Sequence, residues 1–246
     1  MLRSLLVALF LMNAPNALAV DLKIIAGGGI AGPLKAIAPE FEKATGHTLT
    51  IRFAATPELI KMATSSEPLD AAVVPSEVLV DEGAKSRFIL EVSADVARVG
   101  FGIAVKAGAP RPDIGTAESF KEALLAAESI ATVPASAAGA QVLKTFERLE
   151  IGDTVKDKIR PQSSPADIAQ ALIDGKAEIG VFLLNVLAVP GVDVIGPFPL
   201  DLQREFVFRS AVGIGTRNAF AAKAFVDFLR SPAAIAILQA QGMTPG

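Results

Sequence analysis

Ile25-Ala26-Gly27-Gly28-Gly29-Ile30 is the stretch on which the expected fold depends. An apolar, strand-like segment runs into it over 22–26, and a helical pattern follows, with Leu34, Ile37 and Phe41 at helical spacing. A strand, a tight glycine turn and a helix N-terminus present unpaired N–H groups and a positive dipole end to an anion. The run fits neither the dinucleotide fingerprint nor a P-loop. A turn that only joins strand to helix is the alternative interpretation.

Two further strands end close to hydroxyl residues. Residues 48–54 alternate apolar and polar positions, and Thr56 follows as the predicted cap of a helix with Pro57 at its first position. Residues 69–74 are nearly all apolar and lead to Ser76, where another helix begins. Such strands separated by helices indicate an α/β fold with a parallel sheet covered on both faces. Ligands in such folds bind beyond the carboxyl ends of the strands, so we expect the three strand ends to line one rim.

A second α/β block follows. The predicted strands are 98–107, 129–133, 178–184 and 204–215, and the predicted helices are 116–127, one capped by Ser136, one opened by Ser164-Pro165, and 218–229. The closing helix is expected to turn Phe220, Ala224, Phe225 and Phe228 inward. The two long strands that bracket this block are predicted to cross between two lobes.

The N-terminus has the pattern of a secretory signal peptide. Arg3 is followed by an apolar run and by Ala17-Leu18-Ala19, which predicts cleavage after Ala19. The apolar run is shorter than the ~20 residues that a membrane span needs. The sequence therefore predicts an exported, periplasmic protein of about 227 residues, large enough for one large or two modest domains.

Composition and charge exclude several classes of protein. The net charge is −3, or −4 without Arg3, so the basic excess of a nucleic-acid-binding protein is lacking. No cysteine is present, which excludes disulfides, thiolate chemistry and thiolate-bound metals. His47, the one histidine, is expected in an exposed turn, and Asp70 is expected to have a structural role. We expect no cofactor, no metal and no nucleic-acid partner.

Five phrases together resemble the periplasmic molybdate-binding protein family, the type II solute-binding proteins of ABC importers. They are IAPEFEKATG (37–46), LDAAVVPS (69–76), PASAAGAQVLKTFERLEIGD (134–153), ALIDGKAEIGVF (171–182) and AAKAFVDFLRSPAAIAIL (221–238). The resemblance covers nearly all of the expected mature chain. It implies a two-lobed periplasmic-binding-protein-like type II fold, in which each lobe is a mostly parallel sheet flanked by helices and the lobes close by a hinge motion.

The resemblance also implies how the chain divides. Residues 1–19 are the predicted signal peptide, 20–99 with 212–246 form lobe 1, and 100–211 form lobe 2. We expect a monomer that binds a small anion and delivers it to an ABC permease.

The residues that hold the oxyanion in that family are changed here. A serine after the first strand corresponds to the Gly27–Gly29 run, and a serine at the second helix corresponds at best to Thr56. The family's ligand-contacting tyrosine corresponds to Phe182, which cannot donate a hydrogen bond. Each lost donor costs on the order of 1–3 kcal/mol. These changes argue against tight molybdate binding, and more glycine leaves more room, so we expect a larger organic anion such as a small carboxylate.

We expect helix N-termini and a few side chains to contact this anion. An arginine can bind a carboxylate bidentately, and Arg209 or Arg98 could face the cleft, although an exposed arginine or a structural ion pair is the alternative for each. The predicted ligand-binding residues are Gly28, Gly29, Ile30, Thr56, Ser76, Ser136, Ala138, Gly139, Phe182 and Arg209.

Three functions remain open at this point. The first is a binding protein that delivers an anion to an ABC permease. The second is a periplasmic enzyme on the same scaffold, similar to aconitate isomerase, acting on a small carboxylate; it needs a positioned base, and no catalytic residue is evident. The third is a sensory or partner-presenting protein that binds ligand without transport.

Overall fold

The computed structural model describes residues 19–246, so the predicted signal peptide lies outside the described part except for Ala19. The strands are β1 Asp21–Gly27, β2 Thr48–Ala54, β3 Ala71–Pro75, β4 Phe88–Lys106, β5 Ile130–Thr132, β6 Ile159–Pro161, β7 Ile179–Leu183, β8 Val192–Pro197, β9 Glu205–Gly213 and β10 Thr244–Pro245. The helices are α1 Ala31–Thr45, α2 Thr56–Thr64, α3 Ser76–Val80, α4 Ala117–Ala126, α5 Ala137–Arg148, α6 Gly152–Val155, α7 Pro165–Ile173, α8 Leu184–Leu187, α9 Ala219–Phe228 and α10 Pro232–Ala240. No helix within 19–246 is both long and apolar enough to cross a membrane.

Two parallel strand sets lie on either side of the crossing strands. In the first lobe β2, β1 and β3 are parallel neighbours, and in the second β7, β5 and β6 are parallel neighbours. β9 lies antiparallel between β3 and β4 in the first lobe, and β4 lies antiparallel to β7 and β8 in the second. The two-lobed α/β architecture is therefore confirmed, but the sheet is mixed and not mostly parallel, because β4, β8, β9 and β10 pair in antiparallel fashion.

β4 physically joins the two lobes. Its residues up to Gly100 pair with β9, and those from Phe101 onward pair with β7 and β8. The strand begins at Phe88, ten residues before the predicted start. The prediction missed this part because register shifts near Ile89 and Asp95 interrupt the pairing with β9 and hide the alternating pattern in the sequence. The predicted lobe limits at 99/100 and 211/212 stay a prediction; the pairing of β9 with first-lobe strands favours a crossing before Glu205.

The first sheet buries both of its faces, and the alternation of β3 shows how. Ala71 and Val73 pack into the main core, whereas Ala72 and Val74 pack into a smaller core beneath α2 and α3. Successive strand residues point to opposite faces, so a strand covered on both sides must be apolar throughout. This confirms the interpretation of the nearly continuous apolar strand.

Helix α9 differs from its prediction in orientation. Phe225 is buried, but Phe220 is 96% exposed. The buried stripe of this helix is Ala221, Ala222, Phe225 and Val226. Phe220 lies five residues from Phe225, about 140° around a helix, so the two rings cannot share one face.

A candidate anion site between the lobes

The carboxyl ends of strands from both lobes meet around one small cavity. From the first lobe it is lined by the ends of β1, β2 and β3, and from the second by the ends of β5 and β7 with the starts of α5 and α7. β9 contributes two phenylalanines to the wall. The lining residues are Gly27, Gly28, Gly29, Ala54, Ala55, Thr56, Pro75, Val133, Ser136, Ala138, Pro165, Phe182, Leu183, Phe206 and Phe208.

Most of the predicted site residues come together at this cavity. Gly28, Gly29, Thr56, Ser136, Ala138 and Phe182 line it. Of the remainder, Ile30 is fully buried in the core, and Gly139 lies one residue beyond the lining residue Ala138. Ser76 follows the lining residue Pro75, and its hydroxyl donates to the carboxylate of Glu77 at 3.3 Å.

Arg209 lies away from the cavity. Its Nε atom is 3.1 Å from Oδ1 of Asp95, and Arg98 binds the other carboxylate oxygen of Asp95 at 3.0 Å. On β9, Phe206 and Phe208 line the cavity, and alternation along the strand sends Arg209 to the opposite face. Both arginines are therefore in a structural ion-pair cluster in this arrangement, the alternative that the sequence left open.

The two hydroxyls at the cavity have different hydrogen bonds. Ser136 caps α5: its Oγ accepts from the N–H of Gly139 at 3.0 Å and donates to the carbonyl of Val133 at 2.9 Å. Its proton is thus used within its own turn. Oγ1 of Thr56 accepts from the N–H of Ala137 at 3.0 Å, a bond that crosses between the lobes. A hydroxyl has one proton to donate, so that of Thr56 is left for the cavity.

The predicted cap at Thr56 is wrong by one residue. The N-cap of α2 is Ala55, which has no capping side chain, and Thr56 is the first helical residue. Its side chain reaches the start of α5 because the lobes are close together. The amide of Ala137, one of the first-turn N–H groups that lack an intrahelical partner, is satisfied by Thr56 instead of by an anion.

The expected extra room at the glycine turn is also wrong for this arrangement. A Cβ atom added to Gly27 would lie 2.9 Å from Cε1 of Phe208. One added to Gly28 would lie 3.0 Å from Cδ of Pro165, and one added to Gly29 would lie 2.8 Å from Cδ1 of Leu183. The space that glycine leaves is filled by side chains, two of them from the opposite lobe. The glycines allow close contact between the lobes.

The remaining cavity is small. Its volume is about 20 Å³, enough for a single water, which needs roughly 10–15 Å³. An organic anion would enter only after the lobes separate. None of the lining side chains is ionisable, so backbone N–H groups and the Thr56 hydroxyl are the donors at hand. Within residues 19–246 no group of three or more His, Asp or Glu side chains could hold a metal ion.

Nine lining residues were not among the predicted ligand-binding residues: Gly27, Ala54, Ala55, Pro75, Val133, Pro165, Leu183, Phe206 and Phe208. Pro165 carried a usable signal, because Ser164-Pro165 marks a helix start and helix starts surround the other side of the cleft. Phe206 and Phe208 sit in a crossing strand and carry no motif. Only the path of β9 past the strand ends brings them to the cavity.

The family model for "Bacterial extracellular solute-binding protein" matches residues 22–244. An aconitate isomerase from Pseudomonas sp. is 30% identical over 249 residues, which cover 97% of this chain and 94% of that protein. The molybdate-binding protein ModA of Escherichia coli is 25% identical over 96% of this chain and 95% of its own length.

Solved structures share the fold. The Azotobacter vinelandii periplasmic molybdate-binding protein superimposes with a TM-score of 0.75 at 17% identity, over 92% of this chain and 99% of that one. The resemblance to molybdate-binding proteins found in the sequence is thus confirmed. Because the family model spans nearly all of the described residues, this chain belongs to the bacterial extracellular solute-binding proteins.

Proposed function

We propose that this protein is exported, captures a small organic carboxylate between its lobes and delivers it to an ABC importer. The observation that carries the proposal is the set of strand ends and helix starts around a cavity whose lining has no charged side chain. Helix N-termini attract anions through unpaired N–H groups and the helix dipole. The predicted signal peptide supports export, and the family supports binding.

The donors at the cavity favour a carboxylate over molybdate. A tetrahedral oxyanion stripped of water needs donors around all of its oxygens, and Thr56 offers the one uncommitted hydroxyl proton at the lining. Phe182, Leu183 and the two β9 phenylalanines present apolar surface instead. Each carboxylate group has two oxygens to satisfy instead of four, and it is attached to a carbon skeleton that such surfaces can cover.

A ligand screen tests this proposal. Thermal unfolding is followed with molybdate, tungstate, sulfate, phosphate, succinate, citrate and the two aconitates, and hits are measured by calorimetry. Binding of ligand at 100 times its Kd stabilises the fold by about 2.7 kcal/mol, which gives a clear rise in Tm. We expect carboxylates to raise the Tm and molybdate to have little effect. Nanomolar binding of molybdate would overturn the choice of ligand.

A second candidate is an isomerase of small carboxylates. The relative that favours it is the Pseudomonas aconitate isomerase, 30% identical over 97% of this chain. Isomerisation of this type needs a base within hydrogen-bond reach of the substrate. The lining of the closed cavity offers no ionisable side chain, which supports the binding protein over the enzyme.

Proton NMR in D₂O separates these two candidates. The protein is incubated with cis-aconitate or trans-aconitate, and deuterium incorporation and isomer interconversion are followed. A binding protein leaves both spectra unchanged while still raising the Tm. Turnover of either isomer would establish the enzyme in its place.

A further inference from the structure

Asn185, at the start of α8 in the second lobe, makes a hydrogen bond across the cleft. Its Nδ2 atom donates to the carbonyl of Gly29 in the first lobe at 2.8 Å. Gly29 lines the cavity on one side and a wide groove on the other, and Asn185 lines that groove. The bond therefore lies between the two spaces, on the far side of the glycine turn from the cavity.

The carbonyl of Gly29 has no α-helical donor. Gly29 lies in the 3₁₀ turn Gly28–Ile30 that leads into α1, and the N–H four residues further on would belong to Pro33, which has none. Gly29 is buried, and an unpaired buried carbonyl is unfavourable. In the closed form Asn185 supplies the missing donor, whereas in an open form water can reach the carbonyl from the groove.

We infer that Asn185 is a positioning residue that favours the closed arrangement of the lobes, through its hydrogen bond to Gly29. This inference goes beyond the proposed function, because it concerns closure of the cleft whatever anion binds there. The cross-lobe contact of Thr56 with Ala137 acts in the same direction from the cavity side.

The same side chain also limits how strongly the closed form is held. Oδ1 of Asn185 is buried and has no hydrogen-bond partner within residues 19–246. Opening the lobes would let water bind this oxygen, which offsets part of the gain from the bond to Gly29. The net preference for the closed form is therefore smaller than the bond to Gly29 alone would give, and ligand binding can still shift the population of closed and open molecules.

Distance measurements on the ligand-free protein test the inference. The chain has no cysteine, so two introduced cysteines carry dyes without competition. Lys61 on α2 and Lys144 on α5 are exposed and lie on opposite lobes. Single-molecule energy transfer between labels at K61C and K144C then reports the closed and open populations.

The variant Asn185→Asp is the most selective change. It keeps the shape and the acceptor oxygen, but it replaces the donating NH₂ with an acceptor that faces the carbonyl of Gly29. We expect the closed-to-open ratio to fall by about fivefold or more, the factor for a net hydrogen bond of about 1 kcal/mol. Asn185→Ala removes the donor without adding charge and should shift the ratio in the same direction.

Gln241→Ala is the matched control. Gln241 is an amide in the same groove, and its Oε1 lies beside Gly32 of the same lobe. Its loss should leave the ratio unchanged, and circular dichroism verifies that every variant is folded. An unchanged closed-to-open ratio in Asn185→Asp would overturn the inference. A shift in Asn185→Asp without a shift in Asn185→Ala would also overturn it. These readouts need no ligand, so they stand apart from the screen that tests the proposed function.

Discussion

Among residues 19–246, no acceptor takes up the hydroxyl proton of Thr56 in the closed form, and its oxygen accepts from the N–H of Ala137. We expect Thr56→Val, which keeps the shape, to weaken binding of the best carboxylate by roughly 10- to 150-fold, the range for loss of a hydrogen bond to a charged group. Thr56→Ser keeps the hydroxyl and should bind nearly as well as the parent. Calorimetry compares the three proteins, and equal affinity of Thr56→Val and the parent would contradict this role.

Gly29 allows the lobes to approach each other. A methyl group there would lie 2.8 Å from Leu183 of the second lobe and 3.0 Å from Phe208. Overpacking of this kind costs about 1–3 kcal/mol, so we expect Gly29→Ala to lower the closed-to-open ratio of the labelled, ligand-free protein about tenfold or more, with a small change in Tm.

Gly32→Ala is the control for that prediction. Its added methyl group would meet only the flexible end of Gln241. This variant should keep the closed-to-open ratio of the parent, and an unchanged ratio in Gly29→Ala as well would contradict the role of glycine at position 29.

At the scale of elements, the start of α5 depends on close packing against the end of β5. A Cβ atom on Gly139 would lie 1.8 Å from the carbonyl oxygen of Val133, and backbone cannot move aside as a side chain can. We expect Gly139→Ala to lower the free energy of unfolding by about 3 kcal/mol or more. Gly152→Ala, at the start of α6, is the control. Its added Cβ atom would lie 3.6 Å from the nearest atom, so this variant should have the same urea midpoint as the parent.

Asp70 connects the segment between β9 and α9 to the first sheet through hydrogen bonds. It is 4% exposed, its Oδ2 accepts from the N–H of Lys23 at 2.8 Å, and its Oδ1 accepts from the side chains of Thr216 and Asn218. Asp70→Ala leaves three donors without their acceptor, and we expect a loss of about 2–4 kcal/mol of stability.

Asp227→Ala is the comparison for Asp70. The exposed pair of Asp227 with Lys223 should contribute less than about 1 kcal/mol. Similar urea midpoints for the Asp70 and Asp227 variants would contradict the structural role of Asp70.

The elements that the sequence predicted are those with a strong local signal. β2 has its predicted limits, and Thr116 and Ser136 cap α4 and α5 through side-chain hydrogen bonds. The short strands β6, β8 and β10 and the helix α10 were not predicted. β6 and β10 have three and two residues, too few for a periodic pattern, and they exist because a neighbouring strand offers hydrogen bonds.

For the whole molecule, the cavity lining predicts how binding responds to pH. None of the lining side chains titrates, and His47, the only histidine, accepts a hydrogen bond from the N–H of Val20 beyond α1. We expect the Kd for a fully ionised carboxylate to change less than about threefold between about pH 7 and pH 9. Calorimetry over that range checks this, and a steep change would indicate an ionisable group in the bound, more open cleft.

The sequence by itself determined the elements with strong local patterns, the family and six of the fifteen residues that line the cavity. The apolar strands, the glycine turn and the helix starts near Thr56 and Ser136 are local patterns, and parallel strands bring their carboxyl ends to one edge. Only the tertiary structure decided which hydroxyl proton is free, that Arg209 pairs with Asp95, and that Asn185 reaches Gly29. Each of these depends on contacts between residues far apart in the chain, and on how closely two lobes approach, which no local pattern encodes.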